Sequence, residues 1–258
     1  MKTYCFTVDD NIRFLKEITE QRPDSLFDHP YLNMYRRLHG AYGVKVQLNL
    51  FYRLGDFDLS QMPDSYRQEW EEHAHWLKLS FHSEEETFHP YEHADYTEVY
   101  EDCRKVNEEI LRFASPSNLA KTTTVHWCKT TEEGVRALGD HGISGLLGLF
   151  GNAANPKTSY SLAEDYAKDL RQGMTLRVGD MHFAAITFVL NNYNKEEILA
   201  KLDSLQHREA LKVMIHEQYF YPDYEAYQSD FEEKLAACFA HMKDRGYRSC
   251  FFEEILTP

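Results

Sequence analysis

The chain has 258 residues, 28 basic against 42 acidic, and a formal net charge of −14. That balance leaves no basic face for nucleic acid or for an anionic membrane surface, so neither is expected as a partner. A hydrophobic fraction of 43% suffices for a buried core at this size.

The chain opens on a strand-like run, Thr3–Val8, which stops at Asp9-Asp10. No basic, apolar leader precedes it and no run reaches eighteen apolar residues, so a cytoplasmic location without a membrane span is expected. Further β-branched and aromatic runs follow at Val44–Phe51, Trp76–His82, Thr122–Trp127, Gly145–Phe150, Phe183–Leu190, Leu211–His216 and Arg248–Phe252. Several are apolar on both faces, as strands covered by helices are. Between them lie helical patterns with capping signals at Thr130-x-x-Glu133, Ser161-x-x-Glu164, Ser229-x-x-Glu232 and, more loosely, Asn194-x-x-Glu197. The alternation predicts an α/β fold, a distorted (β/α) barrel of seven or eight strands, as one domain over residues 1–258. An open doubly wound sheet is disfavoured, because Val8-Asp9-Asp10-Asn11 is no phosphate cradle. The five cysteines contain no C-x-x-C pair and are expected to be buried thiols.

Four of these runs end on residues that bind metals or move protons: Asp9-Asp10, His82, His126 and His216-Glu217. In a parallel barrel the carboxyl ends of all strands open onto one face, so these positions should converge. Side chains alternate along a strand, so adjacent carboxylates diverge only at a strand-to-loop transition, one toward a metal and one toward a water. A neutral imidazole at His82 suits a first-row divalent ion, and Glu86 on the following acidic loop can add an oxygen. His216 has the pKa range of a group that protonates a leaving group. Trp127, beside His126, and Tyr219, beyond His216-Glu217, offer flat faces of the kind that sugar rings pack on. His73-Ala-His75 falls in a helical stretch and is set aside. The loops Arg53–Ser65 and Ser83–Tyr96 and the segment Tyr219–Tyr227 follow strand ends and are expected to form the rim.

Thr7-Val8-Asp9-Asp10-Asn11, Phe81-His82-Ser83 and Leu211–His216 resemble three motifs of the polysaccharide deacetylase (NodB-like carbohydrate esterase) family. The resemblance implies an irregular (β/α) barrel, Asp9 as catalytic base, Asp10 and His82 as metal ligands and His216 as general acid. In this chain Glu86 stands where the second histidine of the metal motif falls, Asn11 replaces a glycine, and the R-x-x-P-Y segment has no counterpart. The third ligand is His126 or Glu86; His126 is preferred, since a strand end is the more rigid platform. The expected cofactor is one divalent ion, zinc first, with nickel, cobalt or manganese as alternatives. The expected activity is metal-dependent hydrolysis of an N- or O-acyl group on a sugar-like substrate, with Trp127, Glu217 and Tyr219 contacting it. The alternatives are a catalytically degenerate barrel that binds a carbohydrate or small ligand, and a metal-dependent sugar isomerase or lyase.

Overall fold

A computed structural model describes residues 1–151 and 159–256. Seven strands form the wall: β1 (Thr3–Asn11), β2 (Val46–Phe51), β3 (Leu77–Ser83), β4 (Thr122–Thr123), β5 (Gly145–Gly148), β6 (Met181–Ala185) and β7 (Ala210–His216). Parallel pairing runs β7-β1-β2-β3 on one side and β4-β5-β6 on the other. The chain after β6 closes the ring. The Ile186 amide donates to Gly148 (2.8 Å) and the Thr187 amide to Lys212 (2.7 Å), after which Phe188–Val189 pairs with β7. The result is the distorted α/β barrel expected from the alternation.

Distortion has a local cause at the β3–β4 seam. One parallel bridge, Leu79 with Leu119, joins backbone to backbone there. Beyond it, hydroxyls stand in for amides: Ser80 donates to the Thr122 carbonyl (2.9 Å) and Thr123 to the Phe81 carbonyl. The threonine run therefore serves as a hydrogen-bonding edge, and only Thr122–Thr123 of the expected strand Thr122–Trp127 pairs as a strand. The eighth expected strand survives as Arg248–Ser249. It pairs with Thr3 and Tyr4 at the foot of β1, below the point where β1 meets β2.

Among the described residues eight helices, α1 (Arg13–Gln21), α2 (Pro30–Tyr42), α3 (Arg67–His73), α4 (Tyr96–Phe113), α5 (Glu132–Asp140), α6 (Glu164–Arg171), α7 (Lys195–Ser204) and α8 (Phe231–Asp244), accompany the strands. The apolar stripes on α4 (Val99, Cys103, Val106, Ile110, Phe113) and α8 (Phe231, Leu235, Cys238, Phe239, Met242) are buried. The capping box at Asn194 and Glu197 forms. The one at Thr130 moves by a residue, since Thr131 caps α5. Those at Ser161 and Ser229 do not form: α6 and α8 start after Ala163 and Asp230 without a side-chain cap. Ser161 instead donates to the Thr130 carbonyl. All five cysteines are buried thiols. No described helix is long and apolar enough to cross a membrane.

The barrel interior is polar rather than oily. Gln47 spans β3 to reach the Thr122 carbonyl (2.8 Å) and accepts from the Thr122 hydroxyl (3.0 Å). Gln47 also donates to Asn49 (2.8 Å), whose amide donates to Asp9 Oδ1 at 2.6 Å. Buried polar groups of this kind are tolerated only when paired. Here the pairing forms a chain that ends on a carboxylate at the barrel mouth.

Candidate metal centre and its cavity

A bulge brings both adjacent carboxylates to the mouth. The register of β1 against β2 slips between Val8 and Asn11, and Asp10 adopts φ +62. A left-handed residue in a bulged strand re-aims its neighbours at a cost of order 1–3 kcal/mol. Strict alternation is broken, so Asp9 and Asp10 both line a cavity of about 910 Å³.

Asp10 Oδ1 lies 3.0 Å from His82 Nε2 and 3.2 Å from His126 Nδ1, and the two nitrogens are 3.1 Å apart. All three residues are buried, and together they are a group able to hold a metal ion. The donor chemistry fits one. His82 Nδ1 is 2.5 Å from the Thr124 carbonyl, which only accepts, so Nδ1 carries the hydrogen and neutral His82 turns a bare Nε2 toward Asp10. A lone pair facing a carboxylate oxygen and a second imidazole needs a cation at their focus or a proton on a ring. A backbone carbonyl behind a ligating histidine is the usual orienting partner in metal sites. Bonds of about 2.1 Å place neighbouring ligand atoms about 3.0 Å apart on an octahedral ion and about 3.4 Å apart on a tetrahedral one. The three observed separations, 3.0 to 3.2 Å, fall within this range.

Gln218 Nε2 donates to Asp10 Oδ2 at 2.8 Å, which leaves Oδ1 as the oxygen turned to the histidines. Burial alone would raise the Asp10 carboxyl, but the close His126 and His82 rings and the nearby His216 hold it well below the usual range. Burial lowers His82, against the pull of Asp10. The His126 ring is gripped by Phe51, edge-on at 4.9 Å.

Asp9 and His216 are register partners on neighbouring strands. Burial and the adjacent Asp10 charge push the Asp9 carboxyl well above the ordinary range, opposed by the Asn49 amide. His216 Nδ1 is 2.9 Å from Asn191 Oδ1, so it donates there and leaves Nε2 available. Burial lowers its pKa, Asp10 opposing.

The other sequence candidates separate. Trp127 lines the cavity at φ +60 with 52% of its surface exposed, and Phe88 and His89 pack against it at 5.2 and 5.1 Å. Tyr219 also lines the cavity, beside Tyr224 at 5.2 Å. Glu86 lies exposed on the rim, outside the Asp10–His82–His126 group. None of Arg53–Ser65 lines the cavity, in contrast to the expected rim. Arg112 holds that loop instead, donating to the carbonyls of Leu59, Ser60 and Met62.

Glu217 is likewise absent from the lining. Its oxygens accept from the amides of Ile12 (2.8 Å), Arg13 (3.0 Å) and Phe14 (2.8 Å) at the start of α1, and from the Tyr221 hydroxyl (3.3 Å). Ile12 has no capping side chain, so a carboxylate from β7's end caps α1 across 205 residues. Burial pushes the Glu217 carboxyl up to about 7 despite these donors. Glu217→Ala leaves three amides orphaned in a dry site, an expected loss of about 2–4 kcal/mol in urea unfolding. An unchanged unfolding midpoint would show that water replaces the carboxylate.

No protein-family model and no curated protein matches the sequence. Solved structures do match, and they show the fold. The distorted barrel is similar in fold to solved family 4 carbohydrate esterases, among others. A cobalt-bound family 4 acetyl xylan esterase from Clostridium thermocellum is similar over 98% of this chain and 89% of its own, at 12% identity and TM-score 0.54. A CE4 family pseudoenzyme from Bacillus anthracis is similar at 13% identity and TM-score 0.53, over 99% of this chain. The chain spans 66% of that pseudoenzyme. A 4-alpha-glucanotransferase from Thermococcus litoralis covers all of this chain at 12% identity and TM-score 0.65, the match spanning 41% of its own length. At these identities the likeness establishes the fold.

Proposed function

We propose that the chain is a single-domain, metal-dependent hydrolase that removes an N- or O-acyl group from a sugar-like substrate. The observation that carries this is the convergence of Asp10 Oδ1, His82 Nε2 and His126 Nδ1 within 3.2 Å, beside Asp9 and His216 in one cavity. The ligands would be Asp10, His82 and His126, and the ion zinc or, with six-coordinate geometry, cobalt, nickel or manganese. When bound, such an ion polarises a carbonyl and lowers the pKa of a water toward ~7.

The remaining work falls to the chain. Asp9, held by Asn49 at the end of a buried polar chain, takes the proton of the attacking water. His216, steered by Asn191 through Nδ1, carries on Nε2 the proton that passes to the leaving amine or alkoxide. Trp127 and Tyr219 provide flat faces for the sugar. The fit of a carbohydrate is supported by the size of the cavity and by its aromatic rim.

Assays of acetylated amino sugars, acetylated xylo-oligosaccharides and simple aryl esters, each with zinc, cobalt or manganese, test the reading. Acetate release that requires Asp10 supports it; sugar isomerisation or elimination without acetate rejects it. Trp127→Ala is expected to raise KM several-fold with an unchanged melting temperature, because half of the ring is exposed. A fall of several degrees with unchanged KM would make Trp127 a packing residue.

A second reading is a barrel that binds such a ligand without cleaving it. One feature favours it: Lys129 is the sole Lys or Arg among the cavity's described lining residues, and it pairs with Glu92. No arginine is among the described lining residues to stabilise charge on a tetrahedral intermediate. Ligand binding with no turnover under any metal would establish it.

A further inference from the structure

A second cavity of about 440 Å³ lies beside the first and shares Leu149, Val189 and Asn192 with it. Its charge is opposite to that of the molecule. Arg171 from the last turn of α6, Lys201 from the last turn of α7 and Arg208 from the turn before β7 all line it, in a chain of net charge −14. Arg171 is partly committed: it donates to the Phe150 carbonyl at 3.1 Å and pairs with Glu164. Lys201 and Arg208 form no ion pair among the described residues.

Arg208 is the centre of this cluster. Its Nη2 donates to the Arg171 carbonyl at 3.2 Å, while its buried Nε has no hydrogen-bond partner. A buried, charged N–H without an acceptor is costly, and it marks Arg208 as a cation whose donors are not all used within the described residues. The guanidinium lies against the bare backbone of Gly173, at φ +94, where a Cβ would come within 3.1 Å of Nη1. The glycine thus lets the planar group settle at this depth. Ile186, Phe188 and Leu205 add apolar surface to the same cavity.

We propose that this cavity binds a small organic phosphate monoester. Three cations less the Glu164 carboxylate leave two positive charges, which match the −1.5 to −2 carried by a phosphate monoester near neutral pH. A carboxylate would leave one of them uncompensated. The forked donors of arginine and the mobile ammonium of Lys201 suit a tetrahedral oxyanion, and the apolar surface takes the esterified group.

Phenyl phosphate titrated calorimetrically into the EDTA-treated full chain tests this, since no metal then contributes. One site is expected, weakened about tenfold by Lys201→Ala and by Arg208→Gln, and absent from the double variant. Asp10→Asn should leave the affinity unchanged, and benzoate should bind about tenfold more weakly than phenyl phosphate. No binding by the full chain, binding insensitive to both substitutions, loss in Asp10→Asn, or benzoate binding equally well would each overturn the proposal. If Arg208→Gln does not fold by circular dichroism, Lys201→Ala on the partly exposed face of α7 decides the outcome alone.

Discussion

Asp9→Asn is expected to lower turnover by about 10²–10⁴-fold, the usual cost of removing a general base. The substitution keeps the side chain's shape in a pocket whose other groups are fixed. Asp9 is 2% exposed and its Oδ1 accepts from Asn49 at 2.6 Å, so an amide can turn its own oxygen to the same donor. The fold and the metal group should therefore persist, and the loss should appear in kcat rather than in melting temperature. Asn49→Ala should shift the acidic limb of the rate profile upward, because its hydrogen bond to Asp9 is what opposes the rise of the Asp9 pKa. Wild-type turnover in Asp9→Asn would remove Asp9 from the chemistry.

The second large effect is on metal affinity. Asp10→Ala or His82→Ala deletes one of three ligand atoms that lie within 3.2 Å of each other, and each should cost more than about 100-fold in zinc or cobalt affinity. Gln218→Ala should cost about tenfold, since it frees Asp10 Oδ2 and lets the carboxylate rotate. Chelation of the wild type should abolish acyl release and lower the melting temperature by mass action, both restored by added metal. Equal affinity in His82→Ala and the wild type would mean that the ion sits elsewhere.

The strand ends carried most of what the sequence could tell. A run of β-branched residues closing on Asp, His or His-Glu places its last side chain at the barrel mouth, whatever lies between the runs. That is why Asp9, Asp10, His82, His126 and His216 were readable over more than two hundred positions. Glu217 ends such a run too, yet it faces three amides of α1, a pairing that spans the whole chain and has no local signature. Asn191 and Gln218 orient His216 and Asp10 from short turns, where an amide residue looks like any loop residue. A capping-like Asn-Asn pair after an apolar run and a Gln two places past a strand-end His were the available signals. The loop at Arg53–Ser65 follows a strand end as the rim loops do, but Arg112 on α4 draws its carbonyls away from the mouth. The β3–β4 seam was hidden for a different reason. Threonine is read as a strand former, whereas here its hydroxyls replace the ladder and allow the chain to turn at His126.

The central claim is that one divalent ion sits between Asp10, His82 and His126. An anomalous difference map from crystals grown with cobalt, collected on both sides of its absorption edge, tests it most directly. The account predicts a single strong peak bonded to Asp10 Oδ1, His82 Nε2 and His126 Nδ1, with the cavity side of the ion open to water or substrate. A map with no peak at this position, or with the ion held by Glu86 in place of His126, would contradict it.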